Sequence, residues 1–304
     1  MQHIRIRNLQ SSSPSKHSSL SFSKQNNKKM VYVKGPGLYS DIGKKARGED
    51  YQVDRKFTLS TLTSNGVAIT SSGIQKGDLF LADISTILRN KNITTDVKVD
   101  TSSNVFTTVT VDEPAPGVKA IFSFVAPDQK SGKVELQYLH EYAGISTSLG
   151  FTAKPTVNFS GVAGNHQATV GTDISFDTAT GNFTKLNAGI SLVATDLIAS
   201  LMVNDKGQSV TASYFHMVSP LTNTTVGAEF THGFSSNENT LTFGAHHMMD
   251  LTTGVKARVN NYGKASALLQ HEWHPKSFVT ISGEVDTRAI EKSAKIGLAV
   301  AIRP

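Results

Sequence analysis

From Phe57 to Ile302 the apolar residues recur at every second position, in segments separated by turn residues. A helix needs a period near 3.6, so this pattern demands extended chain whose two faces differ in polarity. In Gly254–Asn260, Val255, Ala257 and Val259 share one face, while Lys256 and Arg258 share the other. In Asn92–Asp100, Ile93, Val97 and Val99 oppose Thr94, Asp96, Lys98 and Asp100. In Val279–Asp286, Val279, Ile281 and Val285 oppose Thr280, Ser282, Glu284 and Asp286. Breaks fall at turn formers such as Ser-Asn-Gly at 64–66, Asn-Asp-Lys-Gly at 204–207 and Pro-Lys-Ser at 275–277.

Read this way, strands are expected at 57–63, 67–74, 79–87, 92–100, 104–112, 117–126, 132–142, 144–153, 156–163, 167–177, 183–193, 197–204, 209–218, 222–232, 238–248, 252–260, 264–273, 277–286 and 294–302. Each strand with its turn takes about thirteen residues, which suits tilted membrane strands of about 9–11 residues joined by short turns. A soluble sandwich also alternates. The membrane reading is favoured because the pattern persists through every segment with almost no helix to cover a sheet. Closure into a barrel removes the edges that an open sheet would expose. The expected fold is therefore an all-β, 19-stranded transmembrane β-barrel. No run approaches the roughly 18–20 consecutive apolar residues of a membrane-crossing helix, and a barrel needs none.

Composition excludes other chemistries. The chain has no Cys, so disulfides, thiolate metal sites and cysteine nucleophiles are ruled out. The formal net charge of +6 invites a nucleic-acid reading. However, six of the 30 basic residues (Arg5, Arg7, Lys16, Lys24, Lys28 and Lys29) lie in 1–29, which holds no acid; the other 24 match the 24 acidic residues. The body is formally neutral, and no nucleic acid is expected as a specific partner. Residues 1–29 read as a disordered basic extension: an uncleaved tail, a translated stretch ahead of Met30, or a transit signal. Residues 30–56 form a helix and linker, and 57–304 the barrel. Within the linker, Leu38–Gly48 can form a short amphipathic helix with Ser40 as N-cap and Asp41 in the first turn. Leu38, Ile42 and Ala46 then share one face, and Lys44, Lys45 and Arg47 lie near the C-terminal end.

Candidate enzyme motifs fail on spacing. His271-Glu272-Trp273-His274 has its histidines at i and i+3, whereas a zinc-protease helix needs i and i+4. In a strand His271 and Trp273 share a face with Glu272 opposite, which fits an aromatic interfacial belt. His246 and His247 are adjacent and point to opposite faces. No catalytic residue, metal site or cofactor is expected, and the chain reads as a non-enzyme. The bases Lys98, Lys119, Lys256 and Arg258 fall on the polar face, which in a barrel is the lumen wall, where they would attract anions.

Three stretches carry a family resemblance: GLYSDIGKKAR at 37–47, PGVKAIFSF at 116–124 and HMMDLTTGVKARVNNYGKASALL at 247–269, with His247, Asp250, Arg258, Asn260 and Asn261. Met30–Pro304 resembles the voltage-dependent anion channels of the mitochondrial outer membrane, in wording close to the plant members. The C-terminal KIGLAVAI at 295–302 is similar to a mitochondrial β-signal (Lys295, Gly297, Val300, Ile302). The resemblance implies nineteen strands with the first and last parallel, and a helix inside the lumen. It implies passage of ATP, ADP, phosphate and organic anions, and closure under voltage. Lys44 and Arg47 match basic helix positions implicated in gating and nucleotide contact. The pore-lining and gating candidates are thus Lys44, Lys45, Arg47, Lys98, Lys119, Lys256 and Arg258. Membrane lipid and permeating nucleotides are the expected partners; a homo-oligomer and kinases at the cytosolic face are others such a pore could take. A related protein-import pore of the same membrane is the alternative, and a plastid outer membrane is the lesser alternative location. Three departures stand out: Leu251 replaces a small residue, Val97 occupies the place of a membrane-facing glutamate in animal members, and Gly48–Lys56 is short and poor in glycine.

Overall fold

The computed structural model describes residues 35–44, 54–63, 65–77, 79–128, 130–152, 154–290 and 294–303. The strands are β1 (Arg55–Leu62), β2 (Val67–Lys76), β3 (Leu79–Asn90), β4 (Ile93–Asp100), β5 (Val105–Asp112), β6 (Val118–Ala126), β7 (Lys133–Leu139), β8 (Ala143–Gly150), β9 (Thr156–Gly164), β10 (Ala168–Asp177), β11 (Asn182–Val193), β12 (Leu197–Asn204), β13 (Ser209–Ser219), β14 (Thr224–Gly233), β15 (Glu238–Met248), β16 (Thr253–Asn260), β17 (Lys264–His274), β18 (Ser277–Asp286) and β19 (Lys295–Ile302). They form one closed sheet in which sequence neighbours pair antiparallel and β1 pairs β19 in parallel. An up-and-down chain with an odd strand number must close in parallel, because its first and last strands run the same way. The observed strands follow the expected ones in number and order, with ends that differ by at most three residues.

The turns explain why the strands stop where they do. Residues 205–207 form a tight turn with Asp205, Lys206 and Gly207 all at positive φ. Lys276 turns β17 into β18 at φ 67°. No helix among the described residues is long and apolar enough to cross a membrane, a test that does not bear on strands.

Register separates two faces. The outward one carries large exposed apolar side chains on nearly every strand, among them Leu59, Ile84, Phe124, Leu149, Ile190, Leu201, Phe243, Ile281 and Leu298. In a soluble protein such exposure would be unstable; in lipid it is the required surface. Val97 faces outward between Thr86 and Thr107, its register partners. The inward face carries Ser, Thr, Asn and charged residues, with small ones such as Ser148, Ser175, Ser200 and Ser213 buried. With strands about 4.8 Å apart and tilted about 40°, nineteen strands close at a backbone diameter of roughly 38 Å. Side chains narrow this, but the interior exceeds what they can fill.

Candidate functional site

The lumen is the site, and its most specific feature is how residues 35–44 lie in it. Sequence pattern calls for a helix over 38–48 with Ser40 as N-cap. Its first part is a 3-10 turn, Tyr39–Asp41, with Leu38 at the cap and Ser40 inside it, and α-helical backbone is reached only at Lys44, the last described residue of the segment. The turn stops because Ile42 is extended (φ −63°, ψ 123°) and Gly43 reverses the chain at φ 70°. Asp41 supplies the capping: its Oδ2 accepts the Leu38 N–H at 3.1 Å. Ala46 and Gly48, which would complete the helix, lie outside the described residues, as do Lys45 and Arg47.

The turn is seated by one cross-strand row. Gly144 of β8 pairs Val162 of β9, Val162 pairs Gly171 of β10, Gly171 pairs Gly189 of β11, and Gly189 pairs Met202 of β12. The three glycines of this row, with Val162 between the first two, leave a furrow, and the segment fills it. The Gly37 carbonyl rests on Gly144, Tyr39 on Gly171, and Ile42 on Gly189. A Cβ built on Gly171 would meet Tyr39 Cδ2 at 3.0 Å, and one on Gly189 would meet Ile42 Cγ2 at 3.4 Å. Tyr39 and Ile42 are buried with Val162 and Met202 as the one apolar cluster inside the barrel among the described residues. The helical spacing grouped Leu38 with Ile42 on one face; in the structure it is Tyr39 that is buried with Ile42, because a 3-10 turn advances three residues per turn and not 3.6. Between segment and wall remains a cavity of about 400 Å³, lined mainly by polar groups including Glu135, Gln137, Asp173, Lys185, Asn187 and Asn204.

Lys98, Lys119, Lys256 and Arg258 all share the inward face. Three of them sit against carboxylates. Lys98 Nζ is 3.3 Å from Asp83, Lys119 Nζ 3.5 Å from Asp112, and Arg258 Nη2 3.6 Å from Glu284. Lys185–Asp173 at 2.6 Å and Lys133–Glu135 at 3.2 Å repeat the arrangement. Lys256 lies directly across β15–β16 from His246. Lys44 Nζ lies 3.8 Å from Asp41, a pair more than half exposed and therefore weak. Lys98, Lys119, Lys133, Lys185 and Arg258 are thus organised as ion pairs whose fields fall off faster than that of a lone charge. The period-two rule finds these carboxylates too, since Asp83 and Asp112 have inward parity. The glycine furrow has no comparable signal, because three glycines on three strands become a row only once register is known.

On the opposite face, register points His271 outward and Glu272 inward; Trp273 is the unpaired residue of a β-bulge, its ring 6.1 Å from that of His274, whose partner Ser277 has outward parity. Among the described residues no three His, Cys, Asp or Glu side chains are grouped to hold a metal ion.

A family profile described as "Eukaryotic porin" matches residues 35–297. The chain is 74% identical over 275 residues to the mitochondrial outer membrane protein porin of 36 kDa of Solanum tuberosum, an alignment spanning 90% of this chain and 100% of that protein. It is 63% identical to mitochondrial outer membrane protein porin 1 of Arabidopsis thaliana, again over 90% of this chain and 100% of the relative. The outer plastidial membrane protein porin of Pisum sativum matches at 63% with the same coverage.

Proposed function

As a member of the eukaryotic porin family, the chain is a β-barrel pore of the mitochondrial outer membrane, and we propose that it passes small anionic metabolites (ATP, ADP, phosphate and organic anions) in preference to cations and closes under voltage. The observation that carries this reading is the seating of the 35–44 segment, with Lys44 at its end, inside the lumen that Lys98, Lys119, Lys256 and Arg258 also face. A water-filled lumen offers no binding step deep enough to trap a solute, so transport is diffusion biased by wall charge.

The pairing of wall bases with carboxylates sharpens where that bias arises. Inward-facing acids on the strands, including Asp83, Asp96, Asp112, Glu135, Asp173, Glu229 and Glu284, are no fewer than the bases. A balanced wall selects weakly. The anion preference then depends on the basic run Lys44, Lys45 and Arg47, which follows directly on the turn seated inside the lumen. Moving one elementary charge through the whole of a 100 mV drop is worth about 2.3 kcal/mol, so the three charges of that run moving together through a third of it would gain about as much.

The test is the reversal potential of purified protein in a planar bilayer under a salt gradient. Anion preference is expected, and replacement of Lys44, Lys45 and Arg47 by glutamine should abolish most of it. Removing an ion pair as a unit, Lys98→Gln with Asp83→Asn, should leave it nearly unchanged. Cation selectivity of the open wild-type pore, or no conductance, would falsify the proposal.

A further inference from the structure

We propose that the outer wall of β14–β17, just below its turns, binds the phosphate of a membrane phospholipid through His247 and His271. Both histidines point outward, on the face that meets lipid. Each ring is held by a threonine of the neighbouring strand: His247 Nδ1 lies 2.8 Å from Thr224 Oγ1, and His271 Nδ1 lies 2.9 Å from Thr253 Oγ1. Thr224 is itself held by Thr222 at 2.6 Å. With the hydroxyl donating to Nδ1, a neutral imidazole carries its proton on Nε2, which is left to donate outward. The same arrangement on two strands that flank β16 makes a pair of oriented donors on the lipid-facing wall.

Register places them close enough to act together. His247 pairs Val255 of β16, and His271 pairs Thr253, one step nearer the turn on the next strand but one. Strands about 4.8 Å apart put the two Cα atoms roughly 12 Å from each other, so two imidazoles can approach one phosphate from either side. Thr253 and Val255 floor the space between them.

The surroundings say that the occupant is lipid. Trp273, two residues beyond His271, is 55% exposed on the same face, at the height where indoles meet headgroups. Above the histidines, Met249, Leu251 and Leu221 are exposed, Leu251 by 97% and Leu221 by 90%. Below, Val259, Leu269 and Phe243 continue the apolar wall. An acyl chain below and headgroup above would cover both without any protein partner, continuing the lipid contact of the rest of the barrel.

Trp273 is the chain's single tryptophan, so its fluorescence reports this place alone. The protein is refolded into vesicles of the phosphate-free lipid digalactosyldiacylglycerol, doped with the same minor fraction of chain-brominated phosphatidylglycerol or chain-brominated galactolipid. The phospholipid is expected to quench Trp273 about fivefold more effectively, the factor one hydrogen bond supplies. The double variant His247→Leu, His271→Leu should lose that advantage, and Thr224→Val with Thr253→Val, which keep both imidazoles but free them, should lose part of it. Equal quenching by the two lipids in the wild type, or an advantage that survives both sets of substitutions, overturns the proposal. Loss of the phospholipid's advantage when inorganic phosphate is added to the buffer would assign the donors to a soluble anion and overturn lipid as the occupant.

Discussion

Replacement of Gly144 by valine is expected to lift residues 37–42 off the barrel wall. The Gly37 carbonyl lies where a Cβ on residue 144 would be built, so backbone and side chain cannot share the space. Apart from the segment, the nearest neighbour of that Cβ is Leu139 Cδ2 at 3.5 Å, ordinary contact, so the wall itself tolerates the change. Displacement exposes Tyr39 and Ile42, which are 6% and 3% exposed in place. Burying side chains of this size is worth about 1.5–3 kcal/mol each, and a segment losing the larger part of one such contribution leaves the wall ~30- to 100-fold more often. The chain has no cysteine, so Ile42→Cys provides a single reporter. Maleimide labelling at position 42 should accelerate by that factor in the Gly144→Val background. Gly171→Val should act in the same direction but also strain β9 and β10, because its Cβ would meet Val162 Cγ2 at 2.8 Å and the Gly161 carbonyl at 2.9 Å. Unchanged labelling in Gly144→Val would show that the furrow does not hold the segment.

The second large effect separates the two faces within one strand. Ile281 lies in the middle of β18, is 48% exposed, and has Leu269 and Leu298 beside it. Arginine there puts a charge at mid-depth in lipid and should cost about 2–4 kcal/mol. The preceding residue, Thr280, faces the lumen between Gln270 and Ala299. Arginine at 280 stays in water and should change stability by less than about 1 kcal/mol. Urea unfolding of both variants in lipid vesicles measures the difference. Equal losses, or the larger loss at 280, would contradict the assignment of faces.

The barrel was legible in the sequence because membrane strands impose their rule locally. Alternation in Val279–Asp286 or Gly254–Asn260 needs no knowledge of the rest of the chain, and a turn such as 204–207 declares itself through residues that tolerate positive φ. The inward parity of Lys98 and Arg258 follows from the same local rule. What depends on distant partners was not legible. That Lys98 is set against Asp83 and Arg258 against Glu284 requires register. The seat of Tyr39 and Ile42 requires four strand pairings at once. The delayed start of the helical backbone, at Lys44 and not near Ser40, was not legible because apolar spacing at 38, 42 and 46 is compatible with a helix throughout, while Asp41 reaches back to the Leu38 N–H and Gly43 reverses the chain. His271 showed in sequence as part of an interfacial belt and His247 only as facing away from His246; their threonine partners on adjacent strands are again a matter of register.

The parallel junction of β1 with β19 also governs the order in which the molecule can be made. It rests on four residue pairs, Lys56 with Ala299 through Leu59 with Ile302, between the first and last strands of the chain. Every other pairing joins consecutive strands and can form as soon as both have been synthesised. This one waits for the final strand, and it carries the largest loop-closure cost in the molecule. Until then both terminal strands present unpaired backbone groups that lipid cannot satisfy. A chain stopped short of residue 295 has no β19 to offer β1. Completion of the barrel is therefore a late, single event, and the open sheet that precedes it must be kept from pairing its two free edges with anything else.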